Sequence, residues 1–206
     1  MQEELEPVAV YGDMRSGNCW KVRWTVEMTG RSYSWHETDI MAGASRTEEF
    51  LAMNPAGKVP MLRLADGRCL SESNAICWYL AEGSNLLPDD RFLRAEVMQW
   101  QCFEQYSHEP YIAVARFIRH IMAWPNERAE EYEQKLLGSH AALAVLESRL
   151  SGRDWLVGET LSIADISLFA YTHVAHEAHI SLQDYDAVRA WIDRCQGSLP
   201  DIGIGE

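Results

Sequence analysis

The stretch NPAGKVPMLRLADGRCLSESNAI, residues 54–76, contains the local signals that decide the fold of the first part of the chain. Asp66-Gly67 lies between two short apolar runs, which predicts two strands joined by a tight β-hairpin turn. Val59-Pro60 stands where the first of these strands begins. A proline there indicates a sheet edge or a special turn, with a cis bond as one option and an ordinary loop proline as the alternative.

The residues that follow the hairpin, Glu72-Ser73-Asn74, place small polar groups at the start of another helix. The backbone N–H groups of a helix N-terminus and the Ser73 hydroxyl can bind a carboxylate. Glu72 beside them can pair with an ammonium group, so the two residues together fit the α-amino-acid end of a ligand. The simpler alternative is that Ser73 only caps the helix.

A second helix N-terminus is predicted within YGDMRSGNCWKVRW, residues 11–24, where a strand over 8–12 gives way to a helix over 17–28. The first backbone N–H groups of that helix lack partners within it, and the helix dipole favours an anion beside them. The side chains that can handle such an anion are those of Ser16, Asn18 and Cys19.

Cys19 has two interpretations. A thioredoxin-type C-x-x-C motif at this junction would need a cysteine at position 16, where this chain has a serine. Dithiol exchange by that route is therefore unavailable. A lone cysteine one turn into a helix is usually a small buried residue, whereas helix N-termini also lower thiol pKa values. A packing role is favoured, with a catalytic role as the alternative.

The remaining pattern divides the chain into two parts. Before residue 85, a further strand is predicted over 31–39 and two further helices over 45–54 and 71–81, the first of them opened by a capping box of Ser45 and Glu48. From Arg91 onward the apolar spacing is helical, and Pro110 should kink the first long stretch. These helical stretches are 91–123, 126–150, 162–179 and 184–196. The sequence thus predicts an α/β domain over 1–84 and an all-α helical domain over 91–206.

Composition limits the classes of partner. The formal net charge of −13 over 206 residues argues against nucleic acid, because phosphate binding needs a basic surface. An acidic start and the lack of a long apolar run argue against a signal peptide and a membrane span. Five scattered cysteines with no C-x-x-C pair favour reduced thiols. We therefore expect a cytoplasmic protein.

The order of these motifs resembles the cytosolic glutathione S-transferase family over essentially the whole chain. The most specific pieces are NPAGKVP and SESNAI at their mutual spacing, supported by LSIADISL, residues 161–168. In that last piece Ser162 and Asp165 match the family's helix-capping box, so Asp165 is predicted to serve folding. The resemblance implies a thioredoxin-like N-terminal domain that binds glutathione and a helical domain that supplies the pocket for a second substrate.

Residue by residue, the resemblance implies that glutathione is a cosubstrate held along its whole length. Lys58 would lie near its glycine carboxylate, the Val59 backbone would pair with its cysteinyl backbone, and Glu72 with Ser73 would hold the γ-glutamyl end. Ser16 matches the serine of the serine-type classes, which include theta- and phi-like proteins, and Asn18 matches an asparagine of nu-like bacterial members. The sequence does not decide which of these two dominates in stabilising the glutathione thiolate.

The aromatic-rich stretch 100–117 predicts the second-substrate pocket, with Tyr106, Tyr111 and Arg116 as its contacts. Arg119 is the alternative to Arg116 as the side chain that polarises an electrophile, and the sequence does not choose between them. For each aromatic residue, packing in the core or a dimer interface is the simpler alternative. His173, His176 and His179 follow one another at three-residue spacing but lack a zinc-type H-E-x-x-H arrangement, so no metal is expected.

These observations predict a glutathione S-transferase that acts as a homodimer and uses the glutathione thiolate to attack an electrophilic small molecule, as in detoxification. Glutathione-dependent disulfide reduction on the same fold is the first alternative, and the match at Asn18 supports it. A non-catalytic ligand-binding or regulatory protein is the second alternative. The sequence does not identify the second substrate.

Overall fold

The computed structural model describes residues 6–122 and 125–204. The chain forms two compact units, Met1–Asn85 together with Leu199–Glu206, and Leu86–Ser198. The division differs at the C-terminus from the predicted domains, 1–84 and 91–206. The segment that follows the last helix belongs to the first unit, where the indole Nε1 of Trp24 donates a hydrogen bond to the Pro200 carbonyl at 3.1 Å.

The first unit is built on a four-stranded mixed sheet with the strand order β2-β1-β3-β4. Strands β1 and β2 are parallel, whereas β3 is antiparallel to both β1 and β4. This sheet confirms the predicted α/β class of the first part. The strands are β1 Val8–Gly12, β2 Tyr33–Glu37, β3 Met61–Arg63 and β4 Cys69–Ser71.

Three α-helices accompany the sheet: α1 Gly17–Met28, α2 Glu48–Met53 and α3 Ser73–Ala81. Helix α1 matches its predicted bounds and buries Val22, Trp24 and Val26 in the core. It ends before Gly30, whose φ of 66° is a backbone conformation that glycine adopts at little cost. The helix therefore begins and ends where the sequence signals predicted.

The start of α2 corrects one prediction, because Ser45 does not cap this helix. Gly43 adopts a left-handed conformation with φ 78°, and a 3₁₀ turn over Ala44–Arg46 follows it. Ser45 is consequently buried inside that turn. The cap is Thr47, whose hydroxyl oxygen accepts a hydrogen bond from the Phe50 N–H at 3.3 Å. The predicted capping box of Ser45 and Glu48 is therefore wrong: the helix has a single side-chain cap two residues later, and Phe50 at the third position after Thr47 has no polar group to return the bond.

The hairpin and the proline turn are present as the sequence suggested. Gly67 has φ 89° at the hairpin turn, where the Leu64 N–H donates to the Arg68 carbonyl at 2.9 Å. The Val59-Pro60 peptide bond is cis. The structure therefore contains the special turn with a cis bond at this proline, and not an ordinary loop proline.

In its described part the second unit is helical, as predicted, with two π-helical turns and two 3₁₀ turns among its helices. The α-helices are α4 Arg91–Phe103, α5 Glu109–Arg116, α6 Ala129–Leu150, α7 Ile163–Thr172 and α8 Asp186–Ser198. The π-helical turns are Glu104–His108 and Phe117–Ile121, and the 3₁₀ turns are Asn126–Arg128 and Ala175–Ala178.

Two helix boundaries in this unit differ from the sequence pattern. Pro110 does not break the helical path; it occupies the first turn of α5, where its missing N–H costs little, and a π-helical turn precedes it. The predicted helix over 162–179 is shorter in the structure, because α7 ends at Thr172. The 3₁₀ turn Ala175–Ala178 follows it. No helix in the described ranges is long and apolar enough to cross a membrane.

The capping box at the start of α7 is confirmed. The Ser162 hydroxyl accepts a hydrogen bond from the Ala164 N–H, and the Asp165 carboxylate accepts one from the Ser162 N–H at 3.0 Å. The fully buried Asp165 also accepts bonds from the Leu156 N–H and the Trp191 indole, both at 2.9 Å. Asp165 therefore joins three segments of the second unit rather than one helix end alone.

Candidate functional site

The register of the sheet brings the predicted glutathione-binding residues to one edge. Tyr11 of β1 pairs with Met61 of β3, and Met61 pairs with Ser71 of β4. Because β3 runs opposite to its two neighbours, the end of β1, the start of β3 and the end of β4 lie at the same edge of the sheet. The segments at this edge are those that carry Ser16 and Asn18, Lys58 and Val59, and Glu72 and Ser73.

Ser16 immediately precedes α1 and has an extended backbone, with φ −95° and ψ 118°. Its carbonyl accepts hydrogen bonds from the N–H groups of Cys19 at 2.9 Å and Trp20 at 3.1 Å, which start the helix. Its side chain makes no capping hydrogen bond. Ser16 is half-buried at the positive end of a 12-residue helix, where an anion is favoured.

The Cys19 thiol is fully buried and lies beneath this junction. Burial raises its pKa to about 12, against the opposing effects of the Asp13 N–H, which donates to the Cys19 sulfur at 3.4 Å, and of the Ser16 hydroxyl. A thiol with that pKa stays protonated at neutral pH, so it is a poor nucleophile. The structure thus favours the packing role for Cys19 over the catalytic one.

The α3 N-terminus is joined to the α1 N-terminus through a hydrogen bond between side chains. The hydroxyl of the buried Ser73 donates to Asn18 Oδ1 at 3.2 Å. The other polar group of this amide, Nδ2, is a donor. The structure therefore brings together a residue predicted to act at the γ-glutamyl end of glutathione and one predicted to act at its sulfur.

Glu72 has a backbone conformation that side-chain-bearing residues rarely adopt, with φ 71° and ψ 113°. Such a residue costs about 1–3 kcal/mol, and residues of this kind cluster at ligand sites. Its side chain is exposed at the same edge of the sheet. This conformation could not be predicted, because nothing in the pattern E-S-N distinguishes it from an ordinary helix start.

Asn54 is a further residue at this edge of the sheet, and its position in the sequence did not by itself indicate a role. Its side chain is buried, and its Nδ2 donates to the Lys58 carbonyl at 2.7 Å while its Oδ1 accepts from the Ala56 N–H at 3.2 Å. Asn54 thereby shapes the turn that presents Lys58, whose side chain is exposed, and the cis bond of Val59-Pro60. The N-P-A-G spacing is the signal that identifies this turn.

The three residues predicted for the second-substrate pocket have different surroundings in the second unit. Tyr106 is 85% exposed. The ring of Tyr111 packs against Gly138 of α6, with the Lys135 ammonium 5.4 Å from its centroid. The buried Arg116 guanidinium forms an ion pair with Glu177. Two of the three thus have packing or ion-pair partners within the second unit, and their pocket role stays a prediction.

The three histidines do not share one helical face, because α7 ends before the first of them. His173 stacks on Phe169 with ring centroids 4.3 Å apart, and its Nδ1 lies 2.7 Å from the Phe169 carbonyl. His179 accepts a hydrogen bond from Arg119 at 3.3 Å. Among the residues that the structure describes, no group of three or more His, Cys, Asp and Glu side chains is arranged to hold a metal ion.

Comparison with known proteins identifies the family of this chain. The family described as glutathione S-transferase, N-terminal domain, matches residues 15–82. The glutathione S-transferase C-terminal domain matches residues 100–198. The chain belongs to the glutathione S-transferase family. Its fold class is that of the family, a mixed four-stranded sheet unit followed by a helical unit.

Several glutathione S-transferase relatives match almost the whole chain. The crystal structure of one from Pseudomonas fluorescens Pf-5 is 53% identical, with a TM-score of 0.90 over 92% of this chain and 94% of that chain. The glutathione S-transferase-like protein LUC7 of Fusarium sp is 32% identical over 88% of this chain and 85% of its own length.

Two more distant relatives bear on activity. Glutathione transferase BgramDRAFT_1843 of Burkholderia graminis, crystallised with two glutathione molecules bound per subunit, is 29% identical, with a TM-score of 0.81 over 92% of this chain and 83% of that chain. Elongation factor 1-gamma of Artemia salina is 31% identical over 68% of this chain, which corresponds to 33% of that protein. The chain is therefore similar to proteins that are named for different roles.

Proposed function

We propose that this glutathione S-transferase family member binds glutathione along the sheet edge of its first unit and stabilises the glutathione thiolate for nucleophilic attack. The observation that carries the proposal is the Ser73–Asn18 hydrogen bond of 3.2 Å, because it couples the two helix N-termini that the ligand would need. The glutathione-bound structure of the Burkholderia graminis relative supports the choice of ligand.

The α3 N-terminus would hold the γ-glutamyl end of glutathione. That end carries a carboxylate and an ammonium group. The backbone N–H groups at the start of α3 and the Ser73 hydroxyl suit the carboxylate, and the exposed Glu72 carboxylate suits the ammonium. The strained backbone of Glu72 supports this role, because a conformation that costs stability is retained where a ligand needs it.

The middle and the glycine end of the tripeptide would lie against the turn that Asn54 shapes. The Val59 backbone beside the cis bond would pair with the cysteinyl backbone of glutathione. The exposed Lys58 ammonium would attract the glycine carboxylate. An ion pair so exposed to solvent contributes little, so we expect Lys58 to matter less than Glu72 or Ser73.

The sulfur would lie at the α1 N-terminus beside Ser16 and Asn18. A free thiol with a pKa near 8.5 is only a few per cent ionised at neutral pH. One hydroxyl or amide donor together with the helix dipole contributes about 1–3 kcal/mol to the anion. Because one pKa unit equals about 1.36 kcal/mol, the thiol pKa would fall by roughly one to two units.

The reaction that follows is a substitution or an addition at an electrophilic atom. The thiolate sulfur donates an electron pair to form a new S–C bond. In a substitution the leaving group departs with the electrons of the bond that breaks. In an addition the electrons of the π bond that breaks move to the far atom of the conjugated system, which takes up a proton from water. Tyr106, Tyr111 and Arg116 remain the proposed contacts of the electrophile. Of these, Tyr106 is highly exposed, whereas Arg116 is buried.

Glutathione-dependent disulfide reduction is the second candidate, favoured by the position of Asn18 and by the relative with two glutathione molecules bound per subunit. Here the thiolate of one glutathione attacks a disulfide and releases one thiolate product. A second glutathione then attacks the mixed disulfide, which gives oxidised glutathione and the second thiol. A non-catalytic role, as the elongation factor relative suggests, is the third candidate, and the presence of Ser16, Asn18, Lys58, Glu72 and Ser73 together counts against it.

One experiment separates these candidates. Binding to immobilised glutathione is followed by turnover assays with a panel of aryl halide, unsaturated carbonyl and small disulfide substrates. Binding with conjugate formation supports the transferase, and binding with formation of oxidised glutathione supports the reductase. Binding without turnover supports the non-catalytic role, and absence of binding contradicts the proposed site.

We also propose that the chain forms a homodimer in the cytoplasm. Two exposed apolar side chains of α4, those of Phe92 at 71% and Met98 at 45% exposure, are available to a protein partner. Light scattering coupled to size-exclusion chromatography tests the oligomeric state, and a mass of one chain at micromolar concentration would contradict the dimer.

A further inference from the structure

Asp13, between β1 and α1, is a fully buried carboxylate that no role so far described requires. Its Oδ1 accepts hydrogen bonds from the Arg15 N–H and Nε, both at 2.9 Å. Its Oδ2 accepts from Arg15 Nη2 at 2.6 Å and from the Ile40 N–H at 3.0 Å. Burial alone would raise the pKa of Asp13, but Arg15 and the two backbone donors hold it below its ordinary value.

Arg15 extends this arrangement to the loop that follows β2. Its Nη2 also forms an ion pair with Asp39. The Asp39 carboxylate in turn accepts hydrogen bonds from the Met41 N–H at 2.9 Å and the Ala42 N–H at 3.1 Å. The guanidinium therefore lies between two carboxylates and ties the loop after β1 to the loop after β2. We call Asp13, Arg15 and Asp39 the loop brace.

The backbone of Asp13 makes two further bonds that reach the proposed thiolate site. Its carbonyl accepts from the Ser16 N–H at 2.9 Å, and its N–H donates to the Cys19 sulfur at 3.4 Å. One residue is thus bonded to the residue before α1, to the first turn of α1 and, through its side chain, to the neighbouring loop. Displacement of Asp13 would displace Ser16.

The same Asp-x-Arg arrangement occurs a second time in the first unit, in the exposed hairpin turn. There the Asp66 carboxylate accepts from the Arg68 N–H at 3.0 Å and from Arg68 Nε at 2.6 Å. Both side chains of that pair are largely exposed, whereas Asp13 is buried and has an additional backbone donor from another loop. The hairpin pair is therefore a chemically matched control without a connection to the site.

We propose that Asp13 and Arg15 are positioning residues that hold Ser16 and Asn18 in the geometry that stabilises the glutathione thiolate. This inference rests on the proposed function. Neither residue needs to touch the sulfur, because the brace acts through the backbone of the residues at the start of α1. Hydrogen bonds of a buried carboxylate resist displacement, since breaking them leaves the charge uncompensated.

Two variants distinguish an electrostatic effect of these residues on the bound thiol from a positioning effect, because the two effects change the thiol pKa differently. Asp13→Asn removes a negative charge, which by electrostatics alone would lower the pKa of a nearby thiol. Loss of positioning would raise it. Arg15→Lys retains the positive charge and loses the two-point contact with Asp13, so electrostatics alone predicts no change, whereas positioning again predicts a rise. A rise in the pKa of the bound thiol in both variants therefore identifies positioning as the mechanism.

The experiment uses the full chain in four forms: wild type, Asp13→Asn, Arg15→Lys and the control Asp66→Asn. The ultraviolet absorbance of bound glutathione thiolate is titrated against pH, and amide hydrogen exchange is followed over residues 14–20 without ligand. We expect the thiol pKa to rise by about one unit in both brace variants, a tenfold loss of thiolate at a pH below both values. Amide hydrogen exchange over residues 14–20 should become at least about tenfold faster in both brace variants. In the control Asp66→Asn, the thiol pKa and the exchange rates should equal those of wild type.

A thiol pKa equal to that of wild type in folded Asp13→Asn and Arg15→Lys would overturn the proposal. If Asp13→Asn does not fold, Arg15→Lys alone decides. If wild type itself does not lower the pKa of glutathione, the proposed function fails, and hydrogen exchange then decides whether the brace orders the start of α1. Faster exchange in the brace variants would support the ordering, and unchanged exchange would overturn it.

Discussion

The Ser73 hydroxyl donates a hydrogen bond to Asn18 Oδ1 across 3.2 Å, although the two residues lie 55 positions apart in the sequence. One residue stands in the first turn of α1 and the other at the start of α3. In the proposed complex they serve the sulfur and the γ-glutamyl end of the same ligand. Binding of the γ-glutamyl end is thereby coupled to the orientation of the Asn18 amide beside the sulfur.

Glutathione binding should depend on the α3 N-terminus. Glu72→Ala and Ser73→Ala should each weaken binding by about 1–3 kcal/mol, the range for hydrogen bonds to charged or buried groups. Lys58→Ala should weaken it less. Isothermal titration calorimetry measures the affinities, and Glu82→Ala at the other end of α3 is the matched exposed control.

Glu72→Gly separates binding from folding in this prediction. Glycine adopts positive φ at no steric cost, so this variant should be at least as stable as wild type while losing glutathione affinity. Affinity equal to wild type in Glu72→Ala, Glu72→Gly and Ser73→Ala would remove the proposed γ-glutamyl site.

Much of the fold could be predicted because its signals are local. The hairpin at Asp66-Gly67, the α1 bounds and the capping box of Ser162 and Asp165 each depend on residues within a few positions of one another. The same reasoning placed the α2 cap at Ser45, because S-x-x-E fits a capping box wherever the chain permits one. The left-handed Gly43, which moves the cap to Thr47, leaves no comparable mark in the sequence.

The candidate site could be predicted only in part, because several of its features depend on contacts between distant segments. The brace needs Ile40 and Asp39 from the loop after β2, and the Ser73–Asn18 bond needs the sheet register. The positive φ of Glu72 is likewise set by its surroundings. Residue types and spacing located the segments but not the bonds between them.

Asp165 should govern stability more strongly than a helix cap does. The capping pattern alone implies a cost of about 0.5–2 kcal/mol for Asp165→Ala. The structure adds buried donors from Leu156 and Trp191, which that change would leave unsatisfied, so we expect a loss of about 3 kcal/mol or more. Urea unfolding measures the free energy, with Ser162→Ala expected to show the smaller, cap-sized loss.

Glutathione affinity of folded Asp165→Ala should stay close to that of wild type. A variant with unchanged stability and lost turnover would show that Asp165 serves the reaction and not the fold.

Two helical glycines should respond to alanine with opposite signs. A Cβ added at Gly138 in α6 would lie 2.0 Å from Cδ1 of the Tyr111 ring, so Gly138→Ala should cost about 1–3 kcal/mol through overpacking. A Cβ at Gly197 in α8 meets no atom within 4 Å, so Gly197→Ala should stabilise by roughly 0.5–1 kcal/mol. Thermal unfolding of both variants tests the pair, and a stable Gly138→Ala would contradict the packing of Tyr111.

His173 should make stability fall in mild acid. Burial, together with the nearby Arg116, lowers its pKa from 6.5 to about 4. The unfolded chain therefore binds more protons between these values, and stability that is fully present above pH 6.5 is lost as the pH falls toward 4. The shift corresponds to at most about 3 kcal/mol.

Urea unfolding between pH 7 and pH 4 checks this dependence. His173→Gln should flatten it, whereas His140→Gln, at an exposed position on α6, should leave it in place. An unchanged slope in His173→Gln would assign the acid sensitivity to another group.

The most direct test of the central claim is the ultraviolet thiolate absorbance of bound glutathione, titrated against pH in wild type, Ser16→Ala, Asn18→Ala and Cys19→Ala. We predict a bound-thiol pKa about one to two units below the free value of 8.5 in wild type. Ser16→Ala and Asn18→Ala should raise it toward the free value and lower turnover more than affinity. Cys19→Ala should titrate like wild type and keep most activity. A bound-thiol pKa equal to that of wild type in both Ser16→Ala and Asn18→Ala, together with an inactive Cys19→Ala, would contradict the account. The chemistry would then be assigned to Cys19.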